Sequence, residues 1–208
     1  MDIEQLKHEI EEIKRSLESV PTVGEFEKVS FQQFLKDVGE RDSSKLEDVL
    51  KDVYDNILTL PVRSSIDSAG HDFVLTKDIS IQPGESVDIL TGIRVKIKKG
   101  WVLLLAPRSG IGSKFRMQLN NTIGVIDGDY YGAENEGHIK ATITNDGKEN
   151  KAIELKAGDR FMQGFFVPYG ITKGDHVTNI RTGGYGSSGL SSTDLKSKNN
   201  EHEQLTLF

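Results

Sequence analysis

The sequence predicts a mainly β fold, a barrel or jelly roll over residues 61–180, carried between a helical N-terminal extension and a flexible C-terminal arm. Two observations carry that reading. From Pro61 onward the hydrophobic pattern shortens to runs such as "DFVLT", "SVDIL", "GIRVKI", "WVLLLA", "GHIKATITN" and "RFMQGFFVP", rich in β-branched and aromatic residues. Between them lie turn formers, as in "QPGE", "KKG" and "NDGK".

The elements follow in chain order. Ile3, Leu6, Ile10, Ile13, Leu17 and Val20 recur at three-four spacing, which draws one apolar seam along a helix over residues 1–20 that Pro21 ends. Such a seam serves either self-association as a short coiled coil or docking on the domain surface. Residues 21–60 read as a helical lead-in. Ser30 is placed to cap "FQQFLKDV", and Leu46, Val49, Leu50, Val53, Tyr54, Ile57 and Leu58 fall on one helical face. After the β region, residues 181–189 are glycine-rich, and residues 190–208 are polar until the last few positions, as expected of an unstructured tail.

Composition narrows the function. The chain has 208 residues and a net charge of −6, so it lacks the excess of Lys and Arg that general nucleic-acid binding requires. There are no cysteines, which excludes disulfides and thiolate zinc sites, and five scattered histidines form no ligand pattern. No apolar run is long enough for a membrane span, and the N-terminus "MDIEQLKHEI" is acidic and unlike a secretory signal; a cytoplasmic protein is expected.

Four segments depart from ordinary strand or turn chemistry. "AGHDF" (69–73) sets a carboxylate after a glycine turn, and "PRSG" (107–110) offers an arginine, a hydroxyl and a glycine after an apolar strand. "NTIGVIDGDYYG" (121–132) groups an Asn, an Asp and a Tyr about a possible hairpin tip. "RTGGYGSSG" (181–189) holds an arginine, an aromatic and hydroxyls on a glycine-loosened backbone. Singly, each reads equally as a turn, a hairpin signal or a linker.

In this order, and with "GDRFMQGFF" from Gly158, they resemble the five motifs of the trimeric dUTPase family. "FEKVSFQQFLKD" and "VYDNI" resemble the helical lead-in of a Gram-positive and phage subgroup. The resemblance implies a dUTPase-like jelly roll and hydrolysis of dUTP to dUMP and pyrophosphate with Mg²⁺ as cofactor. Asp127 matches the catalytic carboxylate that activates water, and Asp72 an acid in the outer shell of the metal, reached through water. Asn121 and the Gly124 backbone match the uracil-reading hairpin, and Tyr130 the ring that packs under deoxyribose and excludes a 2′-hydroxyl. Arg108, Ser109, Gly110 and Gln163 match the phosphate contacts. Arg181, Tyr185, Gly186 and Ser187 match the arm that closes over nucleotide, with three departures: Tyr185 stands for the usual phenylalanine, Ser188 for the usual threonine, and one residue fewer separates Arg181 from Gly183. A homotrimer with sites shared between chains is implied by the same resemblance.

Two rival readings stay beside this one. The dCTP deaminases share the jelly-roll fold, although "VIDGDYYG" and the glycine-rich arm resemble the hydrolase. Phage members of the family act as regulators through added segments, a role open to residues 1–60. Finally, Gln204, Leu205, Leu207 and Phe208 in the terminal "QLTLF" resemble the pentapeptide by which bacterial proteins bind the sliding clamp. No direct nucleic-acid or membrane partner is expected.

Overall fold

The computed structural model describes residues 2–18, 20–39, 44–147, 149–178, 181 and 183. Helix α1 (Ile3–Glu18) opens the chain and ends two residues before Val20, the last member of the expected seam. Strand β1 (Gly24–Lys28) follows, then α2 (Phe31–Val38) and α3 (Ser44–Asp52), which widens into a π turn over Val53–Ile57. The Ser30 hydroxyl accepts from the Gln33 amide at 3.1 Å, and Gly39 closes the far end of α2 with φ 76°. Both ends of this eight-residue helix are therefore satisfied by sequence-encoded caps.

The β region contains β2 (Val62–Arg63), β3 (His71–Val74), β4 (Ile79–Ile81), β5 (Ser86–Leu90), β6 (Ile93–Ile97) and β7 (Trp101–Pro107). Helix α4 (Ser109–Phe115) intervenes before β8 (Met117–Leu119), β9 (Gly124–Ile126), β10 (Lys140–Asn145), β11 (Ile153–Leu155) and β12 (Arg160–Pro168). All recorded pairings are antiparallel. The largest sheet runs β2-β3-β12-β7-β9; β5-β10-β8, β4-β11 and β1-β6 make the others. Mainly β architecture is what the turn-punctuated apolar runs predict.

Strand β1 was not legible in the sequence, because Phe26 is its one large apolar residue. Its pairing with β6 relies on charge: Glu25 faces Lys96 and Glu27 faces Arg94 in register. Those cross-strand pairs close to 3.5 Å (Lys96–Glu25) and 2.8 Å (Arg94–Glu27). The hairpin expected over 121–132 is also corrected. Strands β8 and β9 flank the turn but join different sheets, β8 on β10 and β9 on β7, and a 3₁₀ turn over Gly128–Gly132 follows. Helix α4, which begins within "PRSG" at Ser109, likewise went unpredicted, since two glycines interrupt its seven residues.

The N-terminal extension shares the core of the β domain. Val29, Phe34 and Leu58 are fully buried with Phe73, Ile89, Leu103, Ile139 and Phe161 in one cluster. Polar ties reinforce this on the segment between Tyr130 and Lys140. Tyr131 donates to Glu27 at 2.8 Å, and the Ser30 amide and hydroxyl donate to Glu136 at 2.7 and 2.6 Å. Deepest of these ties, the fully buried His138 meets the Asp37 carboxylate through Nδ1 at 2.5 Å, and its Nε2 accepts from the Gly92 amide at 2.8 Å. An accepting Nε2 places the proton on Nδ1, so the ring is neutral.

The direction of each titration agrees. Burial pushes the His138 imidazole below 6.5, against the pull of Asp37. For Asp37, burial pushes upward, but the Gln33 side chain, the hydrogen bond from His138 and the charge of Lys140 bring the carboxyl below its ordinary range. Hydrogen bonds from Lys96 and Tyr131, with Arg94 alongside, hold Glu27 at about 2. A histidine with a depressed folded pKa stabilises the fold fully above the unfolded value and loses that contribution as pH falls through the folded one. Stability is therefore expected to decline on acidification below about pH 6.5, before the carboxylates titrate. Each kcal/mol lost lowers the melting midpoint by about 2–4 °C. His138→Gln should reduce this limb in melting curves between pH 7.5 and 5, leaving the share of His71, whose pKa burial also depresses.

Candidate active site

Around the segment after β8 the structure builds a cavity of about 250 Å³, bounded by Leu105, Asn121, Gly124, Ile126, Tyr130 and Arg181 among others. Gly124 is required where it stands: a Cβ there would come within 2.9 Å of the Leu105 side chain on the neighbouring strand. Asn121 lies exposed in the turn, with its carbonyl accepting from the Ile123 amide at 2.7 Å, and Thr122 sits at φ 66°. The strained turn thus presents Asn121 at the cavity mouth.

Tyr130 is 4% exposed, so its ring is a fixed wall rather than a mobile flap. Its hydroxyl donates to the His138 carbonyl at 2.8 Å and accepts from the Asn135 amide at 2.9 Å. Gly137, at φ 69°, lets the returning chain lie against the Tyr130 carbonyl, 2.6 Å from where a Cβ would stand. The backbone behind the tyrosine is therefore tied to the His138 anchor already described. Three residues earlier, Asp127 leads into the 3₁₀ turn with its carbonyl accepting from the Tyr130 amide at 3.2 Å, while its carboxylate stays 57% exposed. Arg181 reaches this carboxylate at 3.4 Å, donates from Nε to the Gly183 carbonyl, and lies 4.8 Å from the centre of the Tyr130 ring.

A second group gathers where β3, β12 and the end of β7 meet. Asp72 belongs to β3 rather than to the glycine turn before it, and it is 7% exposed. Its two oxygens are held by Arg108 (2.9 Å) and Arg160 (3.1 Å), which offsets the cost of burying the carboxylate. Gln163 pairs with Asp72 across the β3–β12 ladder and directs its Nε2 to the Pro107 carbonyl at 3.4 Å. Arg108 immediately precedes α4, with Ser109 and Gly110 exposed in the first turn. Two halves result: a ring-walled cavity joined through Arg181 to the exposed Asp127 carboxylate beside it, and a basic group set on a buried acid. Within this chain the two sets form separate groups linked through β7, as sites shared between chains would require.

No group of three or more His, Cys, Asp or Glu side chains converges among the described residues, so no protein-built metal cage is present there. Asp72, with both oxygens engaged by arginines, suits contact with an ion through water and not direct ligation. Tyr185, Gly186, Ser187 and the terminal Gln204, Leu205, Leu207 and Phe208 lie outside the described residues. Sequence reasoning missed Arg160, Asn135 and His138. Arg160 stands inside the quoted "GDRFMQGFF", where its charge next to Asp159 was the available signal. The roles of Asn135 and His138 arise only from chain reversal after Tyr130.

An aromatic wall beside a carboxylate, with arginines set to receive anions, defines a mainly β protein suited to a phosphorylated compound bearing a planar ring. Residues 57–194 match the dUTPase family model, and the chain belongs to the dUTPase family. It is 38% identical over 135 residues to the deoxyuridine 5′-triphosphate nucleotidohydrolase of Lactococcus lactis, covering 64% of this chain and 89% of that one. The enzyme of the same name from Shewanella piezotolerans is 36% identical over 138 residues, with 62% and 86% covered. Among solved structures, the dUTPase of Streptococcus mutans superposes with a TM-score of 0.53 at 31% identity, over 72% of this chain and 98% of that one. A dUTPase from phage phi11 of S. aureus, described with a structural Mg(II) ion, shares the fold at a TM-score of 0.50 and 22% identity, over 61% and 94%. No described helix is long and apolar enough to cross a membrane.

Tyr130→Phe tests the anchoring of the wall. It keeps the ring but removes the closer donor to the His138 carbonyl, leaving only the Asn135 side-chain amide at 3.5 Å, so unfolding in denaturant should require about 1–3 kcal/mol less. An unchanged midpoint would mean that the hydroxyl contact does not hold the segment.

Proposed function

We propose that this chain hydrolyses dUTP to dUMP and pyrophosphate by attack of water at the α-phosphorus, with Asp127 as the general base. The observation that carries the reading is the exposed Asp127 carboxylate three residues from the buried ring of Tyr130, on a segment matched to the dUTPase family. Water forms the new P–O bond, the bond to the bridging α–β oxygen breaks, pyrophosphate departs, and the proton of the water passes to Asp127. Tyr130 supports the deoxyribose and leaves no room for a 2′-hydroxyl. Asn121 and the Gly124 backbone read the uracil edge. Arg108, Ser109, Gly110 and Gln163 take the phosphates, and Asp72, held between Arg108 and Arg160, keeps those guanidinium groups aimed.

Bound Mg²⁺ supplies charge neutralisation on the phosphate oxygens. Asp72 would contact that ion through its waters, as the outer-shell acid of the family resemblance. The division of the site residues into two groups supports assembly from separate chains: the Tyr130 half of one copy would face the arginine half of the next in a homotrimer. Arg181, Tyr185, Gly186 and Ser187 would cover the nucleotide from the arm. An enzyme of this kind controls uracil in nucleotide pools and works in the cytoplasm. The terminal Gln204, Leu205, Leu207 and Phe208 would address it to a bacterial sliding clamp, which the amide followed by three apolar anchors supports.

Asp127→Asn is expected to lower turnover of dUTP by at least about 10²-fold while nucleotide binding persists, as loss of a general base requires. Near-normal turnover measured by pyrophosphate release would overturn the mechanism. Separately, the peptide "EHEQLTLF" should bind a bacterial clamp with a dissociation constant on the order of micromolar, and Leu207→Ala with Phe208→Ala should abolish it. Equal binding by the altered peptide would remove the address from the account of this chain.

A further inference from the structure

Helix α1 presents an apolar face that nothing among the described residues covers. Ile3 is 74% exposed, and Leu6, Ile10 and Ile13 are 43–46% exposed. In heptad terms Ile3 and Ile10 take position a, and Leu6 and Ile13 take d, a register that Leu17 and Val20 continue in sequence. A lone helix of 16 residues is marginal in water, so a charged helix with one unburied apolar seam calls for a partner.

The residues flanking the seam select which partner. The e positions are Lys7 and Lys14, and the preceding g positions are Asp2 and Glu9. When two copies lie parallel and in register, each g residue faces the e residue five positions on in the other copy. Asp2 then meets Lys7 and Glu9 meets Lys14, on both sides of the seam. In the antiparallel arrangement e faces e and g faces g, which sets lysine against lysine and acid against acid. The same lysines pair within the helix with Glu4 (2.7 Å) and Glu11 (2.8 Å), but these are exposed i,i+3 pairs of small worth that yield readily to contacts between copies.

We propose that α1 is a self-association element, in which the helices of separate copies of this chain pack parallel and in register along Ile3, Leu6, Ile10 and Ile13. The reading does not rest on the catalytic proposal. Two heptads bury little area, so the helix adds to other contacts between copies by raising their effective concentration instead of assembling the chains unaided. Parallel packing also agrees with the cyclic symmetry common in homo-oligomers, where all copies point the same way about the axis.

The absence of cysteine from the sequence makes the test direct, because any disulfide in a single-cysteine variant joins two chains. In the full-length protein, Leu6→Cys puts a thiol in the seam and His8→Cys puts one on the outer f position. Parallel packing brings the two copies of residue 6 within disulfide reach, and leaves the two copies of residue 8 apart. Under mild oxidation Leu6→Cys should cross-link at least about 10-fold faster than His8→Cys, as seen on non-reducing gels. Adding Lys14→Glu should slow it, and further adding Glu9→Lys to the same chain should restore it; Asp2 is kept because its carboxylate accepts from the Gln5 amide and caps the helix. Circular dichroism and melting of each variant verify that the helix and domain are intact. Equal rates at positions 6 and 8, or rates indifferent to the charge changes, would overturn the proposal. So would a folded Leu6→Cys protein that stays unlinked, which would assign the seam to the chain's own domain or to a different protein.

Discussion

The buried ring of Tyr130 is the point on which the rest of the site depends. An aromatic side chain on an irregular segment has no ladder to hold it still. Here the hydroxyl is fixed by the His138 carbonyl and the Asn135 amide, and His138 is itself fixed by Asp37 and the Gly92 amide. The wall is thus coupled through one neutral histidine to helix α2, outside the β domain that carries it. A side chain that walls a cavity needs such support behind it as much as contacts in front.

That coupling gives the N-terminal extension a physical purpose. The link after strand β1 and helix α2 bury Val29 and Phe34 in the common core, and Glu27, Ser30 and Asp37 each touch the segment after Tyr130. Stability and site geometry are therefore not separable here. Protonating His138 would turn Nε2 from an acceptor into a donor facing the Gly92 amide, so the same event that weakens the fold would slacken the tyrosine. Helix α1 stands apart from this arrangement, with its seam outward and its charges ordered for a like neighbour.

How much could be read in the sequence differs between elements for identifiable reasons. The capped helix α2 and strands such as β7 and β12 were legible because a local pattern and a local cap or turn specify them. Strand β1 was not, since its partner lies some seventy residues on and its pairing is electrostatic. Asp127, Tyr130 and Asn121 were found because they crowd into twelve residues. The two arginines on Asp72 come from separate strands' ends, and only Arg108 was singled out; Arg160 needed the β3–β12 pairing to bring it across. His138 was invisible as a support because nothing in "NEGHIK" says that the chain turns back beneath Tyr130.

The central claim is that this site directs water to the α-phosphorus of dUTP from the side of Asp127. Hydrolysis in ¹⁸O-labelled water followed by mass spectrometry of both products tests it most directly. The label should appear in dUMP, with pyrophosphate unlabelled. Label in pyrophosphate would mean attack at the β-phosphorus, and a site arranged otherwise than described.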